Sequence, residues 1–563
     1  MKKGILITIL VVVLIIIFLA LMGGYVYMQF TKEPHIPNNA YLQINLGGTI
    51  VDSDTSAFSK KRNVRELWYH LNRAKIDKRI KGIFLKISWL KTGYAKVEDI
   101  GRLINDFKES GKKVIAYIEG AGTKGYYLAT FADEVYVFKG GDLYLTGLAT
   151  EAMFLKNTLS ILGVEAQVFH IGRYKTAANM FTQDSMTPAH KESMTKLLDD
   201  IYGSVIKGIA ANRNIDEEQV KTIIQKTPFV TKAYLDKKMV DGILYEDEVL
   251  AKLEPEGSPT MISFDVYKNT TAPNPFSGMK KIAVIFAAGE IHSGKSGGKS
   301  LFGGHILGSA TVAAQLKAAR ENRFVKAVVL RVDSPGGSAL ASEVIRREAR
   351  LLAKEKPLVI SMADLAASGG YWLSMSNGTI FSLPQTITGS IGVVAGKFVL
   401  KGLYDKVGIN KEMITTTKYA GMFSDYRKFD EAETEKIKGM MSNIYNAFLD
   451  VVAEGRGMKR EDVDKIARGR VWAGNTAKEL NLVDRLGGLD DAIDEAKKLA
   501  KIGADEKIGV RVYPRKQSPL DMIFELLGTQ AQAPTPVLSL EAKIDMYKRF
   551  FPALMIPYKL SVN

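Results

Sequence analysis

The chain repeats itself at one fixed step. Leu365-Ala366-Ala367-Ser368-Gly369-Gly370-Tyr371-Trp372 has a degenerate copy 245 residues upstream, Gly120-Ala121-Gly122-Thr123-Lys124-Gly125-Tyr126-Tyr127. The same step of 245 carries Leu85 to Leu330, Gly147 to Gly392, Gly163 to Gly408 and Tyr174 to Tyr419. One step held without gaps over roughly 90 residues is the mark of an internal duplication. The fold must therefore contain two copies of one unit. One copy keeps a candidate nucleophile, Ser368, where the other has Thr123. Diverged copies of this kind can share a single site.

The 563 residues leave room for two or three domains, each with its own core. A hydrophobic share of 46% with 25% charged residues is that of a folded protein, which excludes disorder along most of the length. The absence of cysteine excludes disulfides, thiolate metal sites and cysteine nucleophiles. The net charge of +16 is spread along the chain and reads as a solvated basic surface, one that would also be drawn to anionic lipid headgroups. No basic cluster interleaved with aromatics appears, so nucleic acid is not an expected partner.

Met1-Lys2-Lys3 precedes an uncharged stretch from Gly4 to Phe30, rich in Ile, Leu and Val. About 20 apolar residues span a bilayer core. The exit Gly23-Gly24-Tyr25-Val26-Tyr27 has interfacial tyrosines where a cleaved signal peptide would have a small-x-small site. Residues 1–30 are thus expected to form a retained transmembrane anchor, with Lys2 and Lys3 on the cytoplasmic side and the rest of the chain across the membrane.

Beyond a spacer, residues 40–253 alternate between strand and helix patterns. Ile83–Ile87 and Val114–Ile118 read as strands, and Val97–Lys108 as an amphipathic helix. Residues 254–280, with Pro255, Pro259, Pro273 and Pro275, read as a linker. The pattern restarts over 281–500, with strands at Ile282–Phe286, Ala327–Val332 and Leu358–Met362 and a helix at Ser342–Lys354. This alternation gives an α/β class for both copies. A tail follows over 501–563, with a polar Pro-containing linker at Thr529–Pro536 and one helix expected at Leu538–Phe550.

Two downstream segments carry candidate chemistry. Asp333-Ser334-Pro335-Gly336-Gly337-Ser338 follows a strand, and its glycines let a substrate approach backbone N–H groups of the kind that form oxyanion holes. Some 30 residues on, Ser368 stands among small residues at a second turn. The upstream copy has lost both elements together: Ser88-Trp89-Leu90-Lys91-Thr92 replaces the first turn, and Thr123 the serine. A serine hydroxyl needs a base. The six histidines all precede Ser368, which excludes a triad with histidine downstream; His292 and His305, in a Gly-rich segment, stay open as bases. A buried lysine can also serve. Lys175 has Ala420 as its counterpart, so one copy keeps a lysine and the other the serine. Gly289–Ser296 fits the spacing of a phosphate-binding loop, but Gly297-Gly298 and Gly303-Gly304 resist the helix that such a loop must open.

Together these motifs resemble the signal peptide peptidase SppA family in its long, duplicated form, also called protease IV. The resemblance covers most of residues 40–500 and rests on Asp333–Ser338, Ala366–Trp372 and Thr388-Gly389-Ser390-Ile391-Gly392. Upstream, it rests on Tyr174-Lys175-Thr176-Ala177 with Phe181 and Met186-Thr187-Pro188. It implies two tandem Clp protease/crotonase-like domains and a serine peptidase that needs no cofactor or metal. Ser368 would be the nucleophile, Lys175 the general base and Ser390 the group that orients the lysine. The N–H groups of Gly337 and Gly369 would form the oxyanion hole. The implied substrates are cleaved signal peptides and other apolar peptides. The implied setting is a homotetramer in the inner (cytoplasmic) membrane, with its catalytic part on the periplasmic side. Asn179-Met180 departs from the Glu-Pro frequent in the family, which bears on the shape of that loop. A crotonase-type acyl-CoA enzyme and a catalytically inactive membrane scaffold are the alternative readings.

Overall fold

Runs such as Ile83-Phe84-Leu85-Lys86-Ile87 carry bulky apolar side chains on both faces, as in parallel strands covered on both sides. The computed structural model bears this out. It describes residues 35–515 except 55–60, 227, 255–257, 299–303 and 504, together with residues 14, 17, 18, 22, 554 and 555. The expected anchor over 1–30, apart from four isolated residues, and the helix expected at Leu538–Phe550 lie outside the described residues. Among the described residues no helix is long and apolar enough to cross a membrane.

The upstream strands are β1 (Ala40–Gly48), β2 (Ile80–Leu90), β3 (Lys113–Gly122), β4 (Glu134–Tyr144), β5 (Glu165–Ile171), β6 (Gly242–Leu244) and β7 (Met261–Ser263). All but β5 form one sheet in the order β6-β4-β3-β2-β1-β7, and every pairing in it is parallel. The downstream half begins with β8 (Lys281–Ala288), β9 (Glu290–His292), β10 (Ile306–Gly308), β11 (Val325–Ser334) and β12 (Gly336–Gly337). It continues with β13 (Leu358–Ala367), β14 (Thr379–Ser382), β15 (Ile387–Gly389), β16 (Val393–Val399), β17 (Val471–Ala473), β18 (Arg485–Leu486) and β19 (Gly509–Tyr513). Its main sheet runs β17-β15-β13-β11-β8-β19, with β14 and β18 to one side.

The duplication is visible element by element. The helix Tyr94–Lys108 answers to Ala339–Ala353, Val64–Ile76 to Ser309–Glu321, and β3 to β13, each with both ends displaced by 245. Gly122 pairs with Tyr144, and at the same step Ala367 pairs with Gly389. Tyr94–Lys108 forms a helix because Val97, Ile100, Leu103, Ile104 and Phe107 recur at helical spacing and are all buried.

The halves share a core. Along β8, Ile282, Val284 and Phe286 belong to the large apolar cluster that is built mainly from the upstream half. Ala283, Ile285 and Ala287 belong to the downstream cluster. Alternate residues of a strand face opposite sides, so the downstream sheet packs upstream elements on one face and its own helices on the other.

Two stretches differ from their sequence reading. Residues 254–280, read as a linker, supply β7 to the edge of the upstream sheet and bury Phe264 and Tyr267. The first part of the tail supplies β19, which pairs in parallel with β8. The prolines and threonines around β7 hide its short apolar run, and β19 is a five-residue strand between a charged, Gly-containing stretch and Pro514. At Gly289–Ser296 the chain enters β9, so the phosphate-loop spacing there opens no helix.

Candidate active site

Ser368 sits between β13 and the short helix Gly369–Ser374. Its backbone is at φ 57° and ψ −118°, a conformation costly for a residue with a Cβ. Ser368 N donates to Gly389 O (2.8 Å), Trp372 N donates to Ser368 O (2.9 Å), and the residue is fully buried. The surrounding structure thus fixes the hydroxyl in place.

The lysine arrives on a strand from the other half. β5 and β16 pair antiparallel, from Val393 opposite Ile171 to Val399 opposite Glu165, in a two-stranded ribbon. Lys175 follows Ile171 by four residues and Ser390 precedes Val393 by three, so this register brings both to the same end of the ribbon. There Lys175 Nζ lies 2.8 Å from Ser368 Oγ, 2.9 Å from the Ser390 carbonyl oxygen and 3.0 Å from Ser390 Oγ. Ser390 is itself held at φ 54°, with its N–H on Arg470 O at 2.7 Å.

Lys175 is 1% exposed. Burial alone drives its pKa down to about 7, with no carboxylate offsetting the loss of hydration. Its three contacts match the three donors of an ammonium group. On losing a proton, the amine can accept one from Ser368.

Gly337 and Gly369 meet next to the serine. A Cβ on Gly369 would stand 3.1 Å from Gly337 N and 2.5 Å from Ser342 Oγ, so these two backbones approach more closely than side chains would permit. Gly337 lies at φ 148° beside Ile291, and a Cβ there would collide with the Ile291 backbone. Ser338 caps the following helix by accepting a bond from Ala341 N (3.3 Å), which anchors the turn. The far edge of β12 pairs antiparallel with β20 (Leu554–Met555), Gly336 opposite Met555 and Gly337 opposite Leu554. That edge therefore accepts an extended chain.

All five residues singled out in the sequence converge here. The histidines do not take the base's place: His292 Nε2 contacts Glu290 Oε1 at 2.7 Å, and Lys175 is the group on Ser368. Asn179 opens a short helix, Asn179–Thr182, after the turn Thr176–Ala178; this is the local shape where the family's Glu-Pro is absent. Thr187 accepts a hydrogen bond from His190 N and Pro188 starts the helix Pro188–Arg213, which explains the Met-Thr-Pro motif as a helix start.

The sequence reading missed the segment that backs the lysine. Tyr174 N donates to Arg468 O at 2.8 Å, and a Cβ on Gly469 would fall on the Lys175 backbone. Arg468 and Gly469 both have positive φ. The run Arg468-Gly469-Arg470 is the only local trace of this, a glycine beside polar residues as in many surface turns.

Peptidase family S49 matches the chain twice, over residues 106–258 and 350–503. The chloroplastic serine protease SPPA of Arabidopsis thaliana is 34% identical, an alignment that covers 88% of this chain and 74% of that protein. Protease 4 of Salmonella typhi is 32% identical, covering 93% of this chain and 90% of its relative. A ClpP1 point mutant from Listeria monocytogenes aligns with 37% of the chain and 94% of its own length, at 15% identity and a TM-score of 0.25, too low to bear on the fold. With two family matches and bacterial and plant relatives aligned over most of this chain, the chain belongs to peptidase family S49 and is a serine protease of the long, duplicated SppA (protease IV) form.

Proposed function

We propose that this protease works through a Ser368–Lys175 dyad assembled across the two repeats, and that it degrades apolar peptides, cleaved signal peptides among them. The observation that carries the proposal is the 2.8 Å contact between Lys175 Nζ and Ser368 Oγ around a lysine whose burial lowers its pKa to about 7. Neutral Lys175 takes the Ser368 proton as Oγ attacks the scissile carbonyl. Ser390 holds the amine in line through its hydroxyl and its carbonyl oxygen. The oxyanion develops against the N–H groups of Gly337 and Gly369, where one donor is worth about 2.7–4 kcal/mol of barrier. Lys175 then protonates the leaving amine, and water, deprotonated by the same lysine, releases the acyl group.

The pairing of β12 with Leu554–Met555 supports a substrate bound as an extended strand, its backbone antiparallel to Gly336–Gly337. Leu340 and Val344, exposed on the helix just after that turn, favour apolar side chains. A crotonase-type reaction would have no use for the lysine–serine contact, and an inactive scaffold no reason to keep both groups. The proposal extends to Clp protease/crotonase-like domains, a homotetramer, and a single-pass inner-membrane protein with its catalytic part on the periplasmic side. These rest on family membership and on the apolar run Gly4–Phe30.

A fluorophosphonate probe tests the dyad. Labelling is expected in the wild type and lost in both Ser368→Ala and Lys175→Ala. Undiminished labelling of Lys175→Ala would sink the proposal.

A further inference from the structure

Six charged side chains meet where the repeats pack, and the dyad uses none of them. Arg331, fully buried, donates to Asp52 (3.1 Å) and Asp99 (2.5 Å). Beside them Lys96 Nζ, on the upstream helix Tyr94–Lys108, lies 2.6 Å from Asp333 Oδ2 and 2.7 Å from Asp364 Oδ2. Lys96 is 5% exposed, and burial opposes its charge, but the two carboxylates outweigh that and raise its pKa.

Those two carboxylates hold particular places. Asp333 is the last residue but one of β11, four residues before Gly337, and Asp364 lies on β13 four residues before Ser368. Asp333 Oδ1 also accepts from Leu365 N (3.2 Å), tying the two strands together. Asp364 accepts from Gly93 N (3.0 Å) and Lys96 N (2.9 Å) at the start of the upstream helix. One ammonium group thus grips the roots of both loops, the one that carries Gly337 and the one that carries Ser368.

The clamp is not repeated at the step of 245. The counterpart of Lys96 at the repeat step is Ala341, and the counterparts of Asp333 and Asp364 are Ser88 and Glu119. We infer that Lys96 is a positioning residue of the protease: by bridging Asp333 and Asp364 it sets the spacing between the oxyanion turn and the nucleophile. The inference rests on the dyad reading given above. A misplacement of about 1 Å between reacting groups can cost on the order of 100-fold in rate. Such a loss belongs to the chemical step, because substrate binding along β12 does not require the two loops to be in register.

The test compares Lys96→Met, Lys96→Arg and Lys96→Met/Asp333→Asn in the full-length chain, with a fluorogenic apolar peptide, fluorophosphonate labelling rate and thermal melting. Lys96→Met is expected to lower kcat and the labelling rate by about 10- to 100-fold, with KM within twofold and the acid limb of kcat/KM still near pH 7. Lys96→Arg should recover most of kcat. The double variant, relieved of one half-buried carboxylate left without its cation, should melt higher than Lys96→Met without regaining kcat. The inference is overturned if Lys96→Met keeps kcat within threefold, if KM rises in step with the loss of kcat, or if the double variant regains both melting temperature and kcat. Should Lys96→Met fail to fold, Asp333→Asn carries the test: a drop of about 3- to 10-fold in kcat at constant KM supports the clamp, and an unchanged kcat removes it. Failure of the dyad itself would show separately, as labelling that survives Lys175→Ala.

Discussion

The turn after β3 and the turn after β13 are the same place in two copies of one scaffold, and they differ in a few atoms of backbone. Upstream, Thr123, the counterpart of Ser368, has no positive φ and is the first residue of a helix. The Thr123 hydroxyl donates to the Thr146 carbonyl. Downstream, Ser368 is forced to φ 57° and its hydroxyl meets an amine. The neighbouring turn differs in the same sense: Gly336 and Gly337 have positive φ, whereas Trp89 stands at the counterpart of Ser334, 47% exposed. Frame elements survive divergence because burial holds them. A strained turn survives only where the chemistry needs it.

The ribbon shows the complementary loss. β5 should have a downstream counterpart at 410–416, and β16 an upstream one at 148–154, but neither stretch forms a strand. Each half keeps the strand that the other has dropped. Two potential ribbons have become one, and that one ties the halves together at the site.

The comparison breaks most sharply at the dyad. Ser368→Ala and Lys175→Ala should each cost about 10⁴-fold in kcat/KM, and the double variant no more than either alone, because the two act as a unit. Adding Ala420→Lys to Lys175→Ala should restore nothing, since no strand delivers position 420 to the serine; recovered peptide hydrolysis would show that the halves are still interchangeable. Next in size is Gly337→Ala. Its backbone conformation and its contact with Ile291 leave no room for a methyl group, and losing one oxyanion donor costs about 10²- to 10³-fold in kcat, measurable on the same peptide.

Acid should act less steeply. Lys175 must be neutral to serve as base, so kcat/KM should fall about tenfold per pH unit below its pKa of about 7. A profile flat down to pH 5 would separate the lysine from catalysis. The smallest effect is on stability, which acid lowers as it lowers activity, although removing the lysine should raise stability while it abolishes activity. The folded protein binds the lysine proton more weakly than the unfolded chain, so folding is penalised below pH 7 and the penalty fades as pH rises towards the lysine's ordinary 10.5. At about 1.4 kcal/mol per unit the penalty reaches about 5 kcal/mol, less the hydrogen bonds lost on substitution. Lys175→Met should therefore melt higher than wild type at pH 6, by a margin that shrinks towards pH 10.

Much of this could be read from the chain. The step of 245 gave the duplicated frame, and the difference between Thr123 and Ser368, set against Lys175 and Ala420, pointed to a site divided between copies. Less visible were contacts whose partners lie far apart in sequence. Lys96 sits within an amphipathic helix, where a lysine usually faces water, and only tertiary packing turns it onto Asp333 and Asp364. Gly469 acts through the space it leaves for Lys175, which no spacing rule records. β7 and β19 are too short, and too close to prolines, to show a periodicity.

The β5–β16 ribbon has a genetic corollary. If the proposed dyad is the machinery, neither half of the gene can be discarded, since a product of the first would own a proton acceptor with nothing to activate and a product of the second an alcohol with nothing to ionise it. On that reading the ancestral doubling is irreversible, and two inert polypeptides supplied together would have to re-form both the shared core and that ribbon to regain one working enzyme.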